Sequence, residues 1–346
     1  MTMTPSAIPS AIGLPADQVR ALLTAAASAP SLHNTQPWRF RLTATAIELH
    51  ADQTRQLPVA DPDGLALRLG CGAALFNLRM ALAGLGVRPV VAIFPDRDRP
   101  GLVATVRHGG PARATPELER LLRAIPRRHT NRRPFSDAPV AASERQSLCG
   151  AADQEGARLH LVEDPAQRVQ LGRMAMRAHQ IQIADPAFGA ELAAWTGVTD
   201  DRADGVPARA GGPLPAPRDV WVARDFTGGR ARTRRQGEDF EEQPLIAVVT
   251  SLTSGPEAEV RAGQAMQRVL LTATAEGLAV SFVSQLVEVP EICAQTQQLI
   301  NGLHPPLVVL RIGRGWPIAA TPRRPAEDVM LIEPTQPVVT PRSKPS

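Results

Sequence analysis

Residues 29–40, APSLHNTQPWRF, follow directly on a predicted helix. The segment places Ser31, His33, Asn34 and Gln36 within six residues and then stops at a Pro-Trp pair. Short polar side chains in this position either form an ordinary polar turn anchored by a buried tryptophan, or hydrogen-bond a flat polar ligand. Composition alone favours the polar turn, so other segments of the chain are needed to decide.

Composition limits the classes of function. The 346 residues are 43% hydrophobic and 21% charged, which is enough for a large core. The net charge of +4 is spread along the chain, and only 3% of residues are aromatic, so we expect no nucleic-acid partner. Lys344 is the only lysine, which excludes Schiff-base chemistry and a phosphate-loop lysine. Any bound anion must therefore be held by arginine, backbone N–H groups or hydroxyls.

The N-terminus lacks the charged start and apolar run of a secretory signal, and no run of about 20 apolar residues is present. We therefore expect a soluble, cytoplasmic protein with no membrane partner. Cys71, Cys149 and Cys293 are widely separated, and the histidines are isolated. This pattern predicts neither a disulfide framework nor a metal site.

Helix and strand patterns follow each other in mixed order twice along the chain. The Gly-x-Gly-x-x-Gly motif is absent, which argues against a dinucleotide-binding Rossmann domain. Residues 185–243 have no clear periodicity, which is typical of a functional lid or of disorder. The predicted helices cover residues 17–28 (with Asp17 as a cap), 66–85, 142–152, 165–184 (with Asp164 as a cap), 256–276 and 290–300, plus a short one from residue 115. The predicted strands cover residues 38–42, 46–50, 87–94, 102–107, 158–162, 244–250, 279–283 and 307–312.

Three segments of the second half carry further candidate chemistry. Residues 127–140, RRHTNRRPFSDAPV, are either a solvated basic face or a phosphate site, since arginine binds phosphate in bidentate fashion. In residues 273–285 a helix ends at Gly277 and a strand begins at once, and residues 311–329 combine a strand, a Gly-x-Gly and Arg323-Arg324. The last two segments are also compatible with plain connections.

The string APSLHNTQPW closely resembles the APS…N.QPW segment of the nitroreductase-like flavoproteins. Together with the three segments above and the stretch at 61–86, it resembles the Acg-type FMN-binding branch, over nearly all of residues 15–330. The resemblance implies a mixed α+β, nitroreductase-like fold with FMN as the cofactor. The common phosphate pattern differs from this chain at His129 and Asn131. The cofactor-binding residues implied are Ser31, His33, Asn34 and Gln36 from the loop, Arg127, Arg128, Thr130, Asn131, Arg132, Arg314, Arg323 and Arg324 around the phosphate, and Ser284 and Gln285 near flavin N5.

The QPW loop occurs only in the first half of the chain, and the arginine segments occur only in the second. We therefore expect an internal duplication in which one chain mimics the homodimer of the family, functions as a monomer and holds one FMN. The expected organisation is a flexible N-terminus at 1–14, a first half at 15–115, a second half at 116–330 with a lid-like insertion at about 185–243, and a flexible tail at 331–346.

The resemblance further implies an NAD(P)H-dependent oxidoreductase that transfers hydride through flavin N5 to a nitro- or quinone-like acceptor. Relatives often place a lysine near N1 and O2 of the flavin, and Arg132 is expected to take that role here. The alternative is a flavin-binding or flavin-sequestering protein with little turnover, because the insertion would cover the ring. His33 is the candidate proton donor, with a purely structural role as its alternative.

Overall fold

Two helices of equal length, α2 (Leu65–Gly84) and α7 (Pro256–Ala275), pack against each other at the centre of the molecule. The computed structural model describes residues 8–216, 219–231, 234, 239–241 and 243–331. Glycines bring the two backbones into contact, since a Cβ on Gly72 would lie 2.9 Å from Cα of Gly263 and against the carbonyl oxygen of Val260. The N-terminal and C-terminal parts of the chain are joined along this seam.

The N-terminal part is an antiparallel sheet backed by helices. Its strands lie in the order β1-β2-β4-β3, and helix α1 packs on α2 beside them. Trp38 and Phe40 on β1 are fully buried, which explains why this strand is strongly apolar on one face. The hairpin predicted at 38–50 is confirmed, whereas Asp17 does not cap α1, because Pro15 occupies the N-cap. The elements are α1 (Ala16–Ala27), β1 (Trp38–Leu42), β2 (Ala46–Ala51), β3 (Val87–Ile93) and β4 (Leu102–Pro111).

The C-terminal part also consists of an antiparallel sheet packed with helices. A second antiparallel sheet has the order β10-β11-β9-β6, and the short β5 pairs with the far end of β11. The carboxylate of Asp164 caps α5 through the N–H of Ala166, as predicted. The elements are α3 (Pro116–Ala124), β5 (Phe135–Ser136), α4 (Ala142–Asp153), β6 (Ala157–Val162), α5 (Pro165–Ile183), β9 (Leu245–Ser251), β10 (Ala279–Phe282), α8 (Gln285–Glu288), α9 (Pro290–Leu299) and β11 (Pro306–Gly315).

After β11 the chain returns to the first sheet. The N–H of Phe40 donates to the carbonyl of Val329 at 2.7 Å, and the N–H of Leu331 donates to the carbonyl of Phe40 at 2.8 Å. This pairing along β1 brings residues 321–331 beside the loop that precedes β1. The path of the chain thus places Arg323 and Arg324 next to residues from the N-terminal part.

The predicted insertion at 185–243 contains more regular structure than its sequence pattern indicates. Helix α6 (Pro186–Trp195) begins directly after α5, and the short parallel pair β7 (Thr196–Val198) and β8 (Val206–Pro207) follows. The sequence pattern predicts no helix or strand in this segment, and the structure adds α6 and the β7–β8 pair at its N-terminal end. Parts of the insertion and the predicted tail after residue 331 lie outside the described residues, as do residues 1–7.

The largest hydrophobic cluster contains side chains from both sheets and from α1, α2 and α7. Within the described residues, α2 is the one helix with the length and mean hydropathy, 1.3, of a membrane span, and 67% of that window is buried inside the protein. Its apolar surface is therefore covered by the rest of the fold. The division into two halves at residue 115 stays a prediction, because the core is shared.

Candidate functional site

The loop between α1 and β1 has an unusual backbone. His33, Asn34 and Gln36 have φ values of 48°, 59° and 52°, in the left-handed region that side chains with a Cβ seldom adopt. The hydroxyl of Ser31 accepts a hydrogen bond from the N–H of Gln36 at 2.8 Å and closes the turn. Such conformations persist only where the surroundings hold them, and they are concentrated at functional sites.

The Asn34 and Gln36 side chains hold this loop in place. The Asn34 amide donates to the carbonyls of Gly205 at 2.9 Å and Pro322 at 3.0 Å, and its oxygen accepts from Arg323 at 2.7 Å. The Gln36 amide donates to the carbonyl of Ala203 at 2.9 Å, and its oxygen accepts from the N–H of Arg324 at 2.8 Å. Both predicted cofactor residues therefore tie together the loop, the insertion and the C-terminal segment, and neither lines the cavity described next.

A cavity of about 220 Å³ lies beside this loop, and three parts of the chain build it. The loop and the start of α2 form one side, the second sheet and α8 form another, and residues 221–226 of the insertion form a third. The sequence-predicted residues that line it are Ser31, His33, Thr130, Arg132, Ser284 and Gln285. Residues separated by some 250 positions in the sequence thus converge on one space.

Three arginines form a cationic cluster next to the cavity, with Arg128 buried and Arg132 and Arg323 half-buried. Arg128 is 4% exposed, and Arg132 and Arg323 are close enough to lower its pKa. Burial, with these two like charges, lowers the pKa of Arg128 to about 9, and burial lowers the pKa of Arg132 and Arg323 to about 10. All three remain cationic at neutral pH.

The cluster has neutral protein partners only. Arg132 donates to the carbonyl of Ala210 at 3.2 Å, and Arg323 donates to oxygens of Asn34, Thr321 and Pro322. Among the described residues no carboxylate pairs with these arginines, and Nε of Arg128, Nε of Arg323 and Nδ1 of His129 are buried without a partner. Because an uncompensated buried charge is costly, the arrangement is suited to an anion.

Four further predicted residues lie away from the cavity. Arg127 is exposed and donates to the carbonyl of Arg123, and Arg314 forms an ion pair with Glu144 at 2.8 Å on the far end of β11. Asn131 is buried and bonds the carbonyl of Trp316 at 3.0 Å. Arg324 bonds backbone carbonyls of Gln36 and Asp328. The structure gives these side chains protein partners, so it does not bring them to the cluster.

His33 lines the cavity as a neutral imidazole. Burial and the charges of Arg224 and Arg132 lower its pKa to about 3, although Glu288 opposes this effect. Both ring nitrogens are buried without a partner within the described part of the chain. A histidine with this pKa is not protonated at neutral pH, so it cannot act as an imidazolium acid, but it can form neutral hydrogen bonds to a ligand.

The insertion contributes side chains that sequence analysis did not select. The ring of Phe226 lies 4.3 Å below the guanidinium of Arg132 and 5.9 Å from the His33 ring, and Trp221 and Arg224 line the same wall. Glu288 on α8 forms a buried ion pair with Arg224 at 2.7 Å. No periodic pattern surrounds residues 221–226. The available signal in the sequence is that Trp221 and Phe226 are aromatic residues of the insertion, and the sequence leaves open whether Trp221 stacks on a ligand or anchors the insertion.

Several contacts hold the insertion against the cavity. The Glu191 carboxylate accepts from the N–H groups of Val59 at 3.0 Å and Ala60 at 2.8 Å. At the other end, Glu241 accepts two bonds from the fully buried Arg311 of β11. The described parts of the insertion are therefore anchored to both parts of the fold.

Comparison with models of known protein families finds no match. Among curated proteins, the chain is similar to two from Mycobacterium tuberculosis (strain ATCC 25618 / H37Rv). The one named "Putative NAD(P)H nitroreductase Rv3131" is 34% identical over 325 residues, which cover 91% of both chains. The one named "Putative NAD(P)H nitroreductase acg" is 29% identical over 321 residues, 91% of this chain and 96% of that protein. A solved structure titled as a putative nitroreductase in complex with FMN, from Desulfovibrio desulfuricans, has a TM-score of 0.36 and 16% identity over 65% of this chain and 100% of that chain. At that TM-score the structural overlap adds nothing to the sequence match.

Proposed function

The chain belongs to the Acg-type branch of the nitroreductase-like family, and from this premise we propose that it is an FMN-dependent NAD(P)H oxidoreductase with one FMN per chain. The names of the relatives support the class of reaction, and the resemblance of the loop and arginine segments to the FMN-binding branch supports the cofactor. What this chain adds is a site whose charges and orphaned polar atoms suit that cofactor.

The single observation that carries the proposal is the cationic cluster of Arg128, Arg132 and Arg323 beside the cavity, which has no carboxylate partner among the described residues. A phosphate monoester carries up to two negative charges and three acceptor oxygens, which complement the orphaned Nε atoms of Arg128 and Arg323. Arg128, Arg323 and the hydroxyl of Thr130 would hold the phosphate. The residues present therefore fit the group that the family implies.

Other residues of the chain would position the ring. Arg132 lines the cavity and would place a fixed positive charge beside it, in the role that a lysine often fills in relatives. Ser284 and Gln285 begin α8 at the other wall, and neutral His33 offers a hydrogen bond from the loop. When bound, FMN supplies hydride transfer at N5 from NAD(P)H to a nitro- or quinone-like acceptor.

The stoichiometry follows from the source of each part of the site. The loop at 31–36 comes from the N-terminal part, and the arginines and α8 come from the C-terminal part. Because each set occurs once in the sequence, one chain would build one site without a partner chain. Two FMN per chain, measured by absorbance against protein concentration, would contradict this proposal.

An anaerobic titration tests the function directly. Purified protein, loaded with FMN, is titrated with NADPH and with NADH while the flavin absorbance near 450 nm is followed, and turnover is then measured with menadione or nitrofurazone. We expect one FMN per chain and complete bleaching. Protein that neither retains nor binds FMN would refute the proposal as a whole.

A second candidate function is a flavin-binding protein with little turnover, and one observation favours it. Trp221, Arg224 and Phe226 occupy one wall of the cavity, and Glu191 and Glu241 anchor the insertion that carries them. Nicotinamide would need space on that side of the ring. Tight FMN binding without bleaching by either dinucleotide would select this second function.

A further inference from the structure

Arg224 and Glu288 form a buried ion pair in the cavity wall, and the pair joins the insertion to α8. Their side chains are 4% and 7% exposed, and Nη2 of Arg224 lies 2.7 Å from Oε2 of Glu288. Gln182 on α5 bonds both partners, and the hydroxyl of Ser284 accepts from Nη1 of Arg224 at 3.2 Å. The geometry of the pair is therefore fixed from three elements.

Each member of the pair still carries one buried polar atom without a partner. These atoms are Nε of Arg224, which is a donor, and Oε1 of Glu288, which is an acceptor, and neither has a partner among residues 8–331 as far as they are described. The rings of Phe188 and Phe226 lie 5.2 Å and 5.9 Å from the guanidinium and offer it no acceptor oxygen. Buried polar groups are nearly always hydrogen-bonded, so a ligand is the natural source of both partners.

One donor and one acceptor, on an ion pair that lines a cavity, define the chemistry of that ligand. A quinone or a nitro group brings acceptor oxygens only and would meet the Glu288 carboxylate unfavourably. An amide or imide edge brings a carbonyl oxygen and an N–H group side by side. We propose that Arg224 and Glu288 bind such an edge of a planar ligand, with its carbonyl accepting from Nε of Arg224 and its N–H donating to Oε1 of Glu288.

The inference rests on the proposed function for the identity of the ligand. Two molecules that take part in that function carry such an edge. One is the pyrimidine ring of the flavin, through its C4 carbonyl and N3–H. The other is the carboxamide of the nicotinamide reductant. Either source would make the insertion part of ligand recognition as well as a cover, since Arg224 belongs to the insertion.

Matched ligand pairs separate the two sources. The first pair is FMN and 3-methyl-FMN, titrated against the flavin-free chain by fluorescence quenching. The second pair is the oxidised nicotinamide dinucleotide and its 3-acetylpyridine analogue, titrated against the oxidised FMN-loaded chain by perturbation of the flavin spectrum. Each second member keeps a carbonyl and carries a methyl group where the first member has its N–H group, so it cannot donate a hydrogen bond to Glu288.

We expect the wild-type chain to prefer the N–H member of one pair by on the order of tenfold to a hundredfold, the range for a buried hydrogen bond to a charged group. Glu288→Gln keeps an oxygen for Arg224 and turns the free position into a donor, so this preference should fall close to one. Glu191→Gln is the matched control, because Glu191 anchors the same insertion from outside the cavity and should keep the wild-type preference.

The pair in which the preference occurs identifies the ligand. A wild-type chain that discriminates within neither pair overturns the inference without any variant. An equal loss of preference in Glu288→Gln and Glu191→Gln overturns it too, because the effect would then come from a loosened insertion. Binding of FMN itself by the wild-type chain is the separate test of the proposed function.

Discussion

Replacing Arg128 by Met should move cofactor affinity and the stability of the flavin-free chain in opposite directions. Arg128 is 4% exposed, and its Nε has no partner in the described part of the chain. The fall of its pKa from 12.5 to about 9 corresponds to an upper bound of about 5 kcal/mol for the penalty on the charged form. In other proteins, replacing buried ion pairs by apolar side chains of similar volume often stabilises the folded state by about 1–4 kcal/mol. We expect a gain within that range for Arg128→Met, seen as a Tm higher by a few degrees.

The same change should weaken FMN binding, because a hydrogen bond from a charged donor is lost. Such a bond contributes about 1.5–3 kcal/mol, which corresponds to roughly a tenfold to a hundredfold rise in Kd. Riboflavin lacks the phosphate, so its Kd should not change. Fluorescence titration of both flavins and calorimetry of the flavin-free chain measure the two effects.

The neighbouring Arg127→Met is the matched control, since Arg127 is exposed and donates to a backbone carbonyl. It should leave both flavin affinities and Tm close to wild type. If Arg128→Met lowers Tm and leaves the Kd for FMN unchanged, or if it weakens FMN and riboflavin equally, the assignment of the cluster as a phosphate site is wrong.

Three further predictions concern the scaffold around the site. Arg311→Met leaves Glu241 buried without its partner and should cost about 3–5 kcal/mol in the free energy of unfolding by urea. Arg314→Met on the same strand is the control: it removes a partly exposed ion pair with Glu144 and should cost less than about 1 kcal/mol. Gly72→Ala forces a Cβ against the α7 backbone and should cost about 1–3 kcal/mol or more in the free energy of unfolding. Gly150→Ala, on α4 with open space around the site, should be neutral or stabilising. A larger loss at Gly150 than at Gly72 would contradict the close packing of α2 on α7. His33 has a pKa of about 3 in the folded chain, against 6.5 in the unfolded chain. The unfolded chain therefore binds more protons, and the free energy of unfolding falls as the pH drops from 6.5 towards 3. His33→Gln should flatten that part of the pH profile of urea unfolding, and an unchanged slope would refute the neutral imidazole.

Most of the longer helices and strands could be predicted from the sequence, because their apolar residues recur with the period of an amphipathic helix or a half-buried strand. The hairpin at 38–50 and helices α5, α7 and α9 begin and end within two residues of the predicted positions. Among the described helices of ten or more residues, the one not predicted is α6, whose ten residues are apolar on nearly all sides, with Phe188 alone buried among them. A helix without a polar face has no 3.6-residue pattern to detect, so its region was predicted as irregular.

The candidate site was less predictable, since a motif gives residue types and not the partners they acquire. Asn34 and Gln36 are polar residues in the right loop, but their amides bond the insertion and the C-terminal segment. Arg314 has the expected charge, but it lies where Glu144 of α4 reaches it. Sequence analysis does not select Arg224 and Glu288, because their role depends on the ion pair between them. They are 64 residues apart in the sequence, so no local pattern shows that pair.

The balance of charge around the cavity suggests why this protein needs its insertion. Arg128, Arg132 and Arg323 lie together without a carboxylate among the described residues, and such a cluster opposes folding until an anion binds. The insertion offsets part of that cost with an aromatic ring in place of a carboxylate, because the face of Phe226 lies 4.3 Å from the Arg132 guanidinium. Glu288 neutralises Arg224, the cation that the insertion places in the cavity wall. A carboxylate beside Arg128 would stabilise the flavin-free chain more, but it would compete with the phosphate for the arginines. The neutral partners of Arg132 and Arg323 keep the cluster available to an anion.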